Sequence, residues 1–177
     1  GRPPSGVGAL ARRPEMSLAR VFAAAPAFVL AALDVQDPGN MGALVRTAEA
    51  AGATGVVAVG ASADPLGWKA LRASMGSAFR MPLARVDSIG AVVDAARAVR
   101  STVVALVPRA GAAPEAIDAA RPVLLVMGGE GPGLPPEVVA GADLAVTLPM
   151  RPPVESLNVA VAGALALYAV AARRPAR

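Results

Sequence analysis

The feature that most constrains this chain is a set of unbroken apolar runs separated by helical patterns. Ala27 to Leu33, Val56 to Val59, Thr102 to Val107, Val123 to Met127 and Leu144 to Leu148 are short and apolar nearly throughout. None alternates apolar with polar residues, as a strand with one wet face does. Strands of this kind are covered on both faces, and strands alternating with helices build a parallel sheet. The predicted fold class is therefore α/β, a mostly parallel sheet with helices on both faces.

The segments between the runs fit that arrangement. Helices are predicted over Ser17 to Ala25, over Met41 to Ala51 with Gly52 as terminator, and over Ser88 to Arg100. In the last, Ile89, Val92, Val93 and Ala96 share one face while Asp94, Arg97 and Arg100 lie off it. Asp37-Pro-Gly-Asn40 reads as a turn, Ala61 to Met75 as a loop with a weak helix, and Met81 to Val86 as a short strand. Pro114 to Ala119 suggests a helical turn or two, and Pro136 to Ala140 a short helix. After Pro149 a proline-rich loop leads to a long Ala/Val/Leu helix with Ser156 as its expected N-cap.

Composition restricts the chemistry. The chain has neither His nor Cys. That excludes a Ser-His-Asp triad, a His general base, a disulfide and the commonest zinc ligands, and no metal is expected. Arginine, carboxylates, hydroxyls, amides or a cofactor must do the work. The net charge is +4, carried almost wholly by arginine, which suits an anionic partner such as RNA, although many basic proteins bind nothing anionic. Val21 to Leu33 is interrupted by Pro26, and Val159 to Ala172 is shorter than the roughly 20 residues a bilayer needs, so no membrane span and a cytoplasmic setting are expected. Gly1 to Arg13 holds Arg, Pro and Gly without a hydrophobic targeting segment. Residues 1–16 are expected to be a disordered lead-in or linker, and residues 17–177 a single domain.

Three polar islands interrupt the apolar pattern, each after a predicted strand, where an open parallel sheet places its ligands. In the first, Asn40 and Arg46 are poised to face a ligand at the sheet edge; the plainer reading makes Asn40 a cap and Arg46 a solvated helix residue. The second, Met127-Gly-Gly-Glu-Gly-Pro-Gly-Leu134, sets four glycines around Glu130, which suggests close backbone approach to a ligand. Glu130 is equally readable as a solvated loop acid. A dinucleotide fingerprint fits poorly here, because Pro132, Pro135 and Pro136 obstruct the helix it needs, and the loop comes late in the chain. A phosphate-binding loop fails for want of Gly-Lys-Ser/Thr. The third island gathers Glu155, Ser156 and Asn158 at a helix start, where capping alone could explain them.

Together, and in this order, the islands resemble the SpoU (TrmH) branch of the SPOUT RNA 2′-O-ribose methyltransferases. The first motif is similar to Asp37-Pro-Gly-Asn-Met-Gly-Ala-Leu-Val-Arg-Thr-Ala48. The second is similar to Val126-Met-Gly-Gly-Glu-Gly-Pro-Gly-Leu134, and the third to Leu148-Pro-Met-Arg-Pro-Pro-Val-Glu-Ser-Leu-Asn158. Arg72 to Phe79 resembles the segment between the first two. The likeness covers residues 27 to 172. It implies a C-terminal trefoil knot, S-adenosyl-L-methionine as cofactor, an RNA substrate, rRNA or tRNA with the Arg72 to Phe79 segment favouring rRNA, and a homodimer with sites near the interface. It implies cofactor contacts at Met127, Gly128, Glu130, Leu148, Met150 and Leu157, and a catalytic and RNA-facing set of Asn40, Arg46, Glu130, Ser156 and Asn158. Many members carry a separate RNA-binding domain; only 26 residues precede the first strand here, so a compact member or an excised catalytic domain is expected, and the linker-like start favours the latter.

The implied reaction is in-line attack of a ribose 2′-hydroxyl on a sulfonium methyl. The resemblance makes Arg46 the base, but a guanidine is costly to deprotonate. The preferred expectation is that Arg46 binds a phosphate and stabilises developing oxyanion charge, that Glu130 orients Arg46, and that Asn40, Ser156 and Asn158 position the ribose. Two other readings remain: a cofactor-binding module inactive without an RNA-binding domain, and a Rossmann-type dehydrogenase.

Overall fold

A computed structural model describes residue 10, residues 12–131 and residues 133–174. Most of the expected lead-in, and Pro132, lie outside these residues. From Arg13 onward the chain is tied to the domain: Arg13 pairs with Asp64 at 2.9 Å, and Met16 packs against the core.

Among the described residues six parallel strands form one sheet. They are β1 Phe28–Leu33, β2 Gly55–Val59, β3 Leu83–Val86, β4 Thr102–Leu106, β5 Val123–Gly128 and β6 Leu144–Val146, in spatial order β3-β2-β1-β5-β4-β6. β1 lies between β2 and β5, and all its residues are buried. Phe28, Leu30 and Ala32 enter one apolar layer while Val29, Ala31 and Leu33 enter the other. This is why the run is apolar without alternation: each neighbouring residue faces a different buried layer.

Seven helices cover the two faces among the described residues: α1 Leu18–Val21, α2 Pro38–Ala50, α3 Trp68–Ser74, α4 Ser77–Arg80, α5 Ile89–Ala98, α6 Pro136–Ala140 and α7 Val159–Ala171. α2 sends Met41, Leu44, Val45 and Ala48 into the first layer, and α7 sends Val159, Ala166, Leu167 and Val170 into the same one. α1 and α5 close the other face with Val21, Val92 and Ala96. Pro114–Ala116 forms only a 3-10 turn. No helix of the described residues is long and apolar enough to cross a membrane.

Two local expectations are corrected. Asp37 to Asn40 is the first turn of α2 rather than a free turn: Asp37 is the N-cap, its carboxylate accepts from the Asn40 amide at 2.7 Å, and Pro38 occupies the first helical position, where its missing N–H costs nothing. Ser156 does not cap α7. Asn158 does, its side-chain oxygen accepting from the amides of Ala160 at 2.9 Å and Val161 at 3.2 Å. The helix starts later because the extended proline segment runs on through Leu157.

The connection after β6 positions the site. β6 is at the sheet edge, beyond β4, yet the α7 that follows packs on α2 and β5 near the middle. Residues 147–158 must therefore travel back across the carboxyl ends of β4 and β5.

Candidate functional site

The order of β1 and β5 makes a switch point. The chain leaves β1 toward β2 on one side, and leaves β5 toward β6 on the other, so their following loops diverge and open a crevice. The loops touch at its base. A Cβ on Gly129 would overlap the carbonyl oxygen of Asp34, and one on Gly128 would overlap the backbone of Gly133. Glycine is required at both positions by the close approach of neighbouring main chain.

A cleft of about 380 Å³ lies at this edge. Leu106, Val107 and Pro108 come from the end of β4, Met127 to Gly131 and Gly133 from the end of β5 and its loop, and Val146, Leu148 and Met150 from β6 and its loop. Ser156, Leu157, Asn158, Val159 and Ala162 close it from the start of α7. Every residue expected to contact the cofactor lines this cleft: Met127, Gly128, Glu130, Leu148, Met150 and Leu157. The Leu106–Pro108 wall was missed. Its signal was indirect, since only the placement of β4 beside β5 brings its end to the crevice.

The polar side chains form a directed network. The Asn158 side-chain oxygen accepts from the first amides of α7, and its Nδ2 donates to Asn40 Oδ1 at 3.2 Å. Asn40 Nδ2 in turn donates to Glu130 Oε1. Residues 90 and 118 positions apart are thereby joined, and all three islands meet. The donors align from a helix N-terminus toward a carboxylate, so each bond polarises the next in the same sense. Ser156 is exposed at the rim.

Arg46 is the expected site residue that one chain does not bring to the cleft. It is exposed on α2, six residues beyond Asn40, which places it about 120° round the helix and ~9 Å along it. Among the described residues it makes no hydrogen bond or ion pair. Glu130 therefore holds Asn40 in this chain, not Arg46, contrary to the orienting role expected. Glu155 is also diverted: it pairs with Arg109 at 2.7 Å, with both side chains largely in solvent, so the pair adds little stability.

The cleft's chemistry excludes some ligands. Its walls are apolar and its polar groups are mainly peptide groups; among the described residues Glu130 is its one carboxylate and no Lys or Arg lines it. That suits a small ligand with a flat apolar part and a positive centre better than a pyrophosphate. Among the described residues no group of three or more potential metal ligands occurs.

Comparison with known proteins agrees with this arrangement. A sequence model of the SpoU rRNA Methylase family matches residues 27–168. A tRNA/rRNA methyltransferase of Synechocystis, itself uncharacterized, is 37% identical over 134 residues, 76% of this chain and 49% of that protein. The Bacillus subtilis 23S rRNA (guanosine(2553)-2′-O)-methyltransferase RlmP is 35% identical over 165 residues, 93% of this chain and 64% of RlmP. The SpoU methyltransferase AviRb of Streptomyces viridochromogenes, solved with AdoMet, superposes with a TM-score of 0.84 at 30% identity, covering 90% of this chain and 65% of AviRb. The chain thus spans about half to two thirds of the length of these relatives.

Proposed function

The chain belongs to the SpoU rRNA Methylase family, and from that premise we propose that it is the catalytic domain, residues 17–177, of an S-adenosylmethionine-dependent RNA 2′-O-ribose methyltransferase. The observation that carries the proposal is the meeting of Asn40, Glu130 and Asn158 at the mouth of a cleft lined by the glycine loop and the segment before α7. Ribosomal RNA is the preferred substrate class, because RlmP is named for 23S rRNA. The cytoplasm is where such a substrate is met.

The cleft fits the cofactor on its own chemistry. Met127, Leu148, Met150 and Leu157 supply apolar walls, and the main chain at Gly128, Gly129, Gly131 and Gly133 supplies donors and acceptors free of side chains. Among the described residues that line the cleft, Glu130 supplies the single negative charge beside a cationic ligand, and no cation opposes it. When bound, S-adenosylmethionine provides an electrophilic methyl group on a sulfonium. The chain's own residues then hold and orient the nucleophile: Asn40, Ser156 and Asn158 offer amide and hydroxyl groups to a ribose at the cleft mouth. Arg46 binds a phosphate and stabilises the negative charge that builds on the attacking oxygen as the 2′-hydroxyl proton leaves to solvent. A trefoil-knotted path is part of this reading, supported by the return of residues 147–158 across the strand ends.

Arg46 faces away from its own chain's cleft, so the reading includes a homodimer in which Arg46 serves the partner's site. α7 supports it, with Val161, Leu165 and Tyr168 about half exposed at helical spacing, starting one turn beyond Asn158. Calorimetry with S-adenosylmethionine and tritium-methyl transfer to rRNA from a deletion strain test the activity. Mixing inactive Arg46→Ala and Asn158→Ala proteins tests the sharing: random dimers recover roughly a quarter of wild-type activity if sites are composite. No recovery from a mixture that exchanges subunits rejects the shared site. Tight cofactor binding without transfer to any RNA instead identifies a module that works only when joined to an RNA-binding domain.

A further inference from the structure

Aromatic side chains are scarce in this protein, and most are not in its core. The chain has one Trp, one Tyr and three Phe. Phe22 and Phe28 are buried, but Trp68 is 73% exposed, Phe79 57% and Tyr168 52%. Tyr168 belongs to the α7 stripe. Trp68 and Phe79 lie elsewhere, on α3 and α4, with Met75 between them and 69% exposed.

Cations accompany these side chains. Arg72 lies over the Trp68 ring, 5.9 Å from its centroid, and Lys69 is exposed beside it. Arg46 borders the same surface. α2 crosses α3 at Gly42, where a Cβ would overlap the Ala70 carbonyl, and α2 meets α4 where Arg80 binds Glu49 at 2.7 Å. Arg46 stands about 40° from Gly42 and about 60° from Glu49 round the helix. The nearby acids are engaged: Asp64 by Arg13 and Glu49 by Arg80. Among the described residues Arg46, Lys69 and Arg72 have no ion pair.

We propose that Trp68, Met75 and Phe79, with Arg46, Lys69 and Arg72, form a stacking platform for a single-stranded RNA segment that runs toward the ribose being methylated. The proposal rests on the reading of the chain as an RNA methyltransferase and names where its substrate lies. Unpaired bases offer π-faces to aromatic side chains, and their backbone offers charge to cations that no acid neutralises. A second copy of this chain fits less well over Trp68, Lys69, Arg72 and Phe79, with Arg46 at their border as the residue that reaches the partner's site. A two-fold contact would set like cations against each other, and interface cores are depleted in charge. The uncharged α7 stripe suits a twin subunit better.

Trp68 is the only tryptophan, so its emission reports this surface alone. The probe is a labelled oligouridylate of about twelve nucleotides, with a duplex of equal length as control. Saturable quenching of Trp68 is expected with the same midpoint as the anisotropy of the single strand, and little quenching with the duplex. The double variant Trp68→Ala/Phe79→Ala is expected to raise KM for rRNA from a deletion strain roughly tenfold or more, with kcat within about twofold and cofactor affinity unchanged. RNA that binds and is methylated while Trp68 emission and KM stay put overturns the platform and leaves the methyltransferase reading standing. If neither RNA binding nor transfer is detected while the cofactor still binds, the platform is overturned and the chain is the module that works only when joined to an RNA-binding domain. A fall to half the sedimenting mass in the double variant makes this face a subunit contact and overturns the RNA assignment.

Discussion

Replacing Asn158 separates the structural and polar duties of one residue. Its side-chain oxygen accepts from Ala160 N at 2.9 Å and Val161 N at 3.2 Å, while its Nδ2 donates to Asn40 at 3.2 Å. Asn158→Ala removes all three bonds. Loss of an N-cap costs about 1 kcal/mol, and an exposed amide pair adds at most ~0.5 kcal/mol. The expected loss is therefore ~1–1.5 kcal/mol, or roughly 2–6 °C in Tm for a domain of this size. Asn158→Asp keeps an oxygen at the cap and places negative charge at the helix N-terminus, so it should stay within ~0.5 kcal/mol of wild type. It nevertheless lacks the donor to Asn40. Urea denaturation of both variants, in wild-type and Asn40→Ala backgrounds, measures the cap and the pair separately. An Asn158→Ala protein as stable as wild type, or an Asn158→Asp protein as weak as Asn158→Ala, refutes the assignment of Asn158 as cap.

Three further outcomes are expected. Gly129→Ala would drive a methyl group into the Asp34 carbonyl, which should cost ~1–3 kcal/mol and displace the glycine loop; calorimetric affinity for S-adenosylmethionine equal to wild type would refute that packing. Leu167→Ala removes a fully buried side chain of α7 and should lose ~2–5 kcal/mol in urea denaturation, so a loss under ~1 kcal/mol would mean α7 is not seated on the core. Arg80→Ala should destabilise the protein at neutral pH but not in acid. The Arg80 guanidinium first, and the Ser77 hydroxyl second, hold the Glu49 carboxyl below its usual range; this stabilisation is present above the unfolded carboxylate pKa and disappears as pH falls through the depressed folded value. A difference between wild type and variant that stays constant as pH falls through and beyond the carboxylate range would mean Arg80 acts through packing instead.

Much of the fold was legible because burial on both faces leaves a plain mark. β1, β2 and β5 hold the two buried layers together, and their apolar runs fall within a residue or two of the observed strands. Edge elements were vaguer for the opposite reason: β3 and β6 are partly exposed, so their sequences are under less apolar constraint. Helix starts were misplaced at Asp37 and Ser156 because several residues near each start could cap, and only tertiary contacts choose among them. At α7 the choice falls on Asn158, which also meets Asn40. The motifs identified the loops that would meet, but sequence order carries no angle round a helix. That missing angle is why Arg46, in the same motif as Asn40, proved to point elsewhere.

The side-chain network also bears on how the site comes into being. Asn40 is fixed twice, by its backbone amide to Asp37 and by its side chain to Glu130. Asn158 is tied to α7, which reaches Asn40 only after the chain has crossed back from the sheet edge. About half of the cleft, from Val146 to Ala162, is contributed by the end of β6, that returning segment and the start of α7. A chain that has paired β1 with β5 but not docked α7 would carry the glycine loop without the opposite wall. The cleft and the last step of packing are then one event. Cofactor binding should stabilise the docked state in proportion to its affinity, by RT ln(1 + [L]/Kd). It should therefore protect the amides of α7 from hydrogen exchange more than those of α5, which lies on the other face of the sheet. Equal protection of α5 and α7 would show that the cleft is already complete before α7 is held down.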